Sequence, residues 1–154
     1  MEQFQLTDEL IKKIADLILA KKNSNLKKLV NDIHFADMAD IINLLNEEQG
    51  VYLIKLFDSE KTSEILTELD ENVREKILKT LSVKEIAGEI EELDSDDAAD
   101  ILGELSEERK EEVISEISDN NLADNLIELL SYKEDSAGGL MAKELVKANE
   151  NWTV

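Results

Sequence analysis

Asp96 and Asp100 stand four residues apart in the run Asp94–Ser95–Asp96–Asp97–Ala98–Ala99–Asp100. Carboxylates at that spacing share one face of a helix and repel each other by roughly 0.2–0.5 kcal/mol. A bound cation reverses the sign of that interaction. Asp37 and Asp40 give a weaker version of the same layout. The run is not a calcium loop of the EF-hand type, because Ala98 occupies its fifth position and Ala99 the position that needs glycine. A plainer reading also stands: Asp94 caps a helix, and Asp96 and Asp97 lie in a first turn where the helix dipole favours negative charge. Catalytic chemistry has little to work with. The single histidine, His34, sits between Ile33 and Phe35 and reads as a packing or capping residue. Ala137–Gly138–Gly139 lacks both the lysine of a phosphate loop and the GxGxxG spacing. With no cysteine there is neither a disulfide nor a thiolate metal site. The serines fall mainly where helix caps are needed. The expectation is a protein that is not an enzyme.

Charge narrows the partners. The formal net charge is −20, unevenly spread. Residues 1–33 hold six lysines against five acids, whereas residues 34–154 hold eleven basic and thirty-two acidic residues. Glu85–Glu112 alone contains thirteen acids and two bases. Such a surface repels nucleic-acid phosphates and anionic lipid and attracts cations or basic protein surfaces. The opening MEQFQLTDEL carries acids and no apolar stretch of the signal-peptide kind. No segment approaches eighteen apolar residues, so no membrane span is expected in these 154 residues.

The elements that must position these acids follow from an internal repeat. Leu45, Phe57, Leu69, Leu81, Leu93, Leu105 and Ile117 are each twelve apart. Three residues before each stands Ile42, Ile54, Leu66, Leu78, Ile90, Leu102 or Ile114, and four before stands Ile41, Leu53, Ile65, Ile77, Glu89, Ile101 or Val113. Apolar residues at i, i+1 and i+4 lie on one face of a helix and on no single face of a strand. After each anchor comes a capping residue, Asn46, Asp58, Asp70, Ser82, Asp94, Ser106 or Ser118, whose short side-chain oxygen can accept from the free N–H groups of the next turn. Ser82 with Glu85, and Asn46 with Gln49, have the spacing of a capping box. Each period is therefore a short helix. Helices this short are marginal alone and must stack on their neighbours.

The predicted fold is all-α: a right-handed superhelix, or α-solenoid, of short antiparallel helices with a twelve-residue helix period. Residues 7–21 read as a longer amphipathic helix before the repeat, 24–33 as a short one, and Leu122–Leu130 as the last. The absence of proline, five glycines and 4% aromatic content fit helices with an aliphatic core. Residues 1–131 form the helical domain. Residues 132–154 are a linker around Gly138 and Gly139, ending at Trp152–Val154 where a new element begins. A solenoid offers an extended surface rather than a deep pocket, as a binding module or regulatory arm does.

Two segments carry a family resemblance: Leu93–Leu102 and Tyr132–Lys133–Glu134–Asp135–Ser136–Ala137–Gly138–Gly139–Leu140–Met141. With them the chain resembles the N domain of MgtE-type magnesium transporters over essentially its whole length. The closing Glu150–Val154 resembles the opening of a CBS domain, cut short. The resemblance implies a regulatory Mg2+ ion, not a catalytic one, facing Glu64, Asp96, Asp100 and the backbone carbonyl of Gly139. It implies docking on the CBS domains of the same polypeptide, a homodimer in the full-length protein, and a place on the cytoplasmic face of the plasma membrane as part of an integral membrane protein. A second reading is an armadillo-like interaction module, since the repeat also resembles stacked-helix parts of the flagellar motor switch protein FliG.

Overall fold

The computed structural model describes residues 6–133 and 136–144. Its ten helices, in chain order, are α1 (Asp8–Leu19), α2 (Asn23–Val30), α3 (Phe35–Leu44), α4 (Glu47–Ile54), α5 (Ser59–Glu68), α6 (Glu71–Thr80), α7 (Val83–Ile90), α8 (Ser95–Gly103), α9 (Glu107–Glu116) and α10 (Asn120–Leu130). All regular structure among the described residues is helical.

The repeat sets the corners. The residues that precede α4 to α9 are Asn46, Asp58, Asp70, Ser82, Asp94 and Ser106, as the spacing requires. Asn46–Gln49 and Ser82–Glu85 both form complete capping boxes. Two features depart from the sequence reading. The register starts earlier than Asn46, for His34 and Lys22 precede α3 and α2 at the same twelve-residue interval. At the other end α10 is capped by Asp119 rather than Ser118. Asp119 accepts from both Asn121 and Leu122, whereas the Ser118 N–H is taken up by the Glu91 carboxylate.

The apolar face of each helix is the core. Every anchor and partner position from Ile41 to Ile117 is buried or packed against the buried cluster, with Glu89 as the polar exception. Helices two apart in sequence stack on each other. Thus α3 packs on α5, α5 on α7 and α7 on α9 in one layer, and α4 on α6 and α8 on α10 in the other. This is the solenoid-like arrangement in which each short helix buries its stripe against its neighbours.

The corner beyond α10 is tied down by Ser136. Its N–H donates to the Lys133 carbonyl (2.9 Å), its Oγ accepts from the Gly139 N–H (3.2 Å), and its carbonyl accepts from Leu140 (3.1 Å). Glu134 and Asp135 of the corner motif, and the CBS-like closing segment Glu150–Val154, lie outside the described residues. No helix among the described residues is long and apolar enough to cross a membrane.

Candidate functional site

Helix α8 brings the acidic run to the surface. Its inner face is small and apolar, with Ala98, Ala99, Ile101 and Leu102 buried. Asp97 and Asp100 are therefore turned outward, and Asp96 is half-buried. Asp97 is held above its ordinary carboxylate value, first by partial loss of water and then by the charges of Asp96, Asp100, Asp94 and Glu68. The same neighbouring carboxylates that raise Asp97 also attract a cation.

Packing of α10 on α8 swings the following corner back over α8. Asp100 and Gly139 consequently line one cleft of about 400 Å³, together with Gly103, Glu71, Arg74 and Tyr132. Glycine is required on one side of this corner. A Cβ at Gly138 would lie 2.6 Å from two ring atoms of Tyr132. The cleft wall carries a fixed cation as well. Arg74 donates to both carboxylate oxygens of Glu104, and Asp100 adds to the charges that hold the guanidinium protonated.

Glu64 is placed differently. It is exposed on α5 and lines a separate hollow with Ile33, His34, Phe35, Asp58 and Lys61. Of the four residues expected to face an ion, Asp96 and Asp100 thus share α8, Gly139 joins Asp100 in the cleft, and Glu64 stands apart from that cleft. Glu68, one helical turn beyond Glu64, is the α5 carboxylate felt by Asp97. Among the described residues, no three His, Cys, Asp or Glu side chains converge to hold a metal ion by themselves. His34 is a helix cap: its Nδ1 accepts from the Ala36 N–H at 3.3 Å, and its ring packs on Phe35 with centroids 4.0 Å apart.

Sequence reasoning passed over Arg74, Glu104 and Glu68. Glu68 was detectable, since it repeats at Glu64+4 the spacing of Asp96 and Asp100. The Arg74–Glu104 contact joins residues thirty apart and left no periodic signal.

The chain matches the family of the MgtE intracellular N domain over residues 33–135. It belongs to that family. This N-domain family belongs to transporters and is not an enzyme family. Among solved structures, the chain is similar to the soluble part of a magnesium transporter, with 19% identity and a TM-score of 0.76, over 90% of this chain and 55% of that one. It is also similar to the cytosolic domain of the Mg2+ channel MgtE in complex with ATP, with 25% identity and a TM-score of 0.74, over 86% of this chain and 54% of that one. The MgtE N-domain chain thus spans about half the length of the solved chains it matches. Compared with curated proteins, it gives no match. The α1–α2 pair, which carries most of the lysines of residues 1–33, precedes the matched region.

Proposed function

We propose that this MgtE N domain is the cytosolic Mg2+-sensing arm of a magnesium transporter, gating ion passage by Mg2+-dependent docking on CBS domains of the same polypeptide within a homodimer. Residues 1–131 are the arm, and 132–154 lead into the first CBS domain. The observation that carries this reading is the outward-facing α8 carboxylate group beside the Gly139 corner, in a chain of the MgtE N-domain family.

The donor set fits the ion. Mg2+ is a hard cation that takes oxygen ligands and keeps several of its waters, so when bound it supplies neutralisation of clustered carboxylates. Asp96, Asp100 and the Gly139 carbonyl would hold it on this side, whereas Glu64, in its separate hollow on α5, would face a cation brought there by the opposing domain. Among the described residues there are too few convergent carboxylates for a closed cage, which suits a sensor completed by an opposing domain. An equilibrium between docked and undocked arms shifts only through differential affinity for the two states. An incomplete site on each partner provides that difference.

The test uses the intact transporter. Limited proteolysis of the 131–141 corner slows as Mg2+ rises. Asp96→Asn with Asp100→Asn abolishes that protection while leaving helical circular dichroism unchanged. Equal protection of the double variant and the wild type would make these carboxylates ordinary solvated acids.

A further inference from the structure

The side chain that caps α8 comes from outside the helix. Asp94 holds the capping position but makes no side-chain cap hydrogen bond. Glu144, forty-nine residues beyond Ser95, takes its place. Glu144 Oε1 accepts the Ser95 N–H at 2.9 Å, and Ser95 Oγ donates to Glu144 Oε2 at 3.0 Å. Ser95 Oγ in turn accepts the Lys143 N–H at 2.8 Å. The Lys143 ammonium pairs with Glu128 on α10. Ser95 is fully buried, so its hydroxyl is committed to this knot. The segment leaving the Gly138–Gly139 corner is therefore fastened to the first turn of the acidic helix.

That fastening is made against charge. Asp94, Asp96 and Asp97 occupy the same end of α8 as the incoming Glu144 carboxylate. Burial pushes Glu144 upward, but its hydrogen bonds with the backbone and with Ser95 prevail and hold it below the ordinary carboxylate range. The N–H groups of the helix N-terminus favour an anion there, and each neighbouring carboxylate opposes it. The contact is thus a balance that local charge can tip.

We propose that Glu144 and Ser95 form a latch that positions the acidic first turn of α8 and couples divalent-cation binding at Asp96 and Asp100 to the path of the chain beyond residue 139. The proposal rests on the reading of α8 as the ion-facing helix. Neutralising Asp96 and Asp100 relieves repulsion on Glu144 and tightens the latch. By linkage, a closed latch raises cation affinity at those carboxylates by the same factor. Glu144 and Ser95 are positioning residues in this scheme: they set where the ligands stand and where the chain exits.

The test is MgCl2 titration of the 154-residue chain at constant ionic strength, followed by NMR. Amide hydrogen exchange at Ser95 reports the latch, and the side-chain carboxyl carbons of Asp96 and Asp100 report the ion. In the wild type, Ser95 exchange slows several-fold as the carboxyl signals shift. In Glu144→Gln and in Ser95→Ala, affinity for Mg2+ falls several-fold and exchange at residue 95 loses its Mg2+ dependence. A purely structural role would lower stability and leave that dependence in place. Asp96→Asn with Asp100→Asn protects the Ser95 amide without any Mg2+. If the carboxyl signals shift while Ser95 exchange stays constant, the latch is refuted and the sensor reading stands. If neither responds, the latch is refuted, and the sensor reading is decided separately by the proteolysis of the intact transporter.

Discussion

Arg74 on α6 meets Glu104, at the end of α8, in a forked ion pair with Nε 3.0 and 3.1 Å from the two carboxylate oxygens. The same guanidinium donates through Nη1 to the carbonyls of Leu66, Thr67 and Leu69 at the end of α5, at 3.1, 3.3 and 3.3 Å. Lys61 does the same for the end of α2, reaching the Asn31 and Ile33 carbonyls at 2.9 and 3.0 Å. Arg109 serves the end of α6, donating to the Leu78 and Leu81 carbonyls. A chain with a net charge of −20 thus places three basic side chains where helix carbonyls lack partners and the helix dipole favours a cation.

Arg74→Met should therefore destabilise the fold by about 2–4 kcal/mol, because it orphans three carbonyls and leaves Glu104 facing Asp100 and Glu71. Both partners of the pair keep only about 15% of their side-chain exposure (15% and 16%), so water replaces little of what is lost. Urea unfolding measures the change. Glu104→Gln in the Arg74→Met background should recover part of it, since the neutral amide removes the unpaired charge. A loss below about 0.5 kcal/mol would reduce Arg74 to a surface residue.

Glu89 stands in the repeat position that Ile77 and Ile101 fill one period on either side. Its Oε2 is buried without a hydrogen-bond partner among the described residues. Burial first, then the charges of Glu92, Glu85 and Asp58, raise it from 4.5 to about 8. The folded chain therefore keeps a proton that the unfolded chain releases. The contribution of Glu89 to stability is greatest below the ordinary carboxylate range and falls as pH rises from 4.5 through about 8. Glu89→Gln should match the wild type in Tm at about pH 4 and exceed it at about pH 9. Equal Tm values at the alkaline end would show that Glu89 reaches water.

The twelve-residue register and the face of each helix were legible because burial demands apolar residues at fixed spacing, and α3 to α9 obey it. The early periods were harder to read. Lys22 makes no side-chain cap hydrogen bond and His34 caps through a ring nitrogen, so neither belongs to the residue types by which helix starts are recognised. Ser118 failed for the opposite reason. It is a good capping residue, but its neighbour Asp119 is another, and the Glu91 carboxylate already satisfies the Ser118 N–H. At the site, Asp96 and Asp100 could be placed on one helix face from their spacing. The approach of Gly139 to Asp100, and of Glu144 to Ser95, depends on how α10 packs on α8. No local pattern encodes that packing.

Lys21 is a departure that the sequence conceals. It adopts a left-handed backbone with φ 51° between α1 and α2. The Lys21 N–H donates to the Ile18 carbonyl and the Lys22 N–H to Leu17, both at 3.0 Å. This is the Schellman end of a helix, where glycine is the usual occupant. A side chain in that conformation costs roughly 1–2 kcal/mol, and glycine gives back about half in the greater freedom of its unfolded chain. Lys21→Gly should raise stability by about 0.5–1 kcal/mol in urea. Lys21→Ala, which removes the charge but keeps the strained Cβ, should change it little. A gain from alanine equal to that from glycine would assign the effect to charge.

Gly138 tests the corner through sterics alone. A Cβ there would come within 2.6 Å of Cδ1 and Cγ of Tyr132 and 3.0 Å of Cδ2. These are atoms of a rigid ring, so the conflict cannot be relieved by bending a flexible tip. Tyr132 must swing away or the corner must lift, at about 1–3 kcal/mol as for other overpacked contacts. Either movement opens the cleft shared by Gly139 and Asp100. The helical stack ends at Leu130, so Gly138→Ala should leave the circular dichroism and the main unfolding transition intact while making the 131–141 segment more sensitive to protease. Tyr132→Ala alone should loosen the same segment by removing the ring's contacts. The double variant should be less impaired than the two effects added together, because the clash and the ring disappear at once. Strict additivity of the two substitutions would place Tyr132 away from Gly138 in solution and remove the steric reason for glycine at this corner.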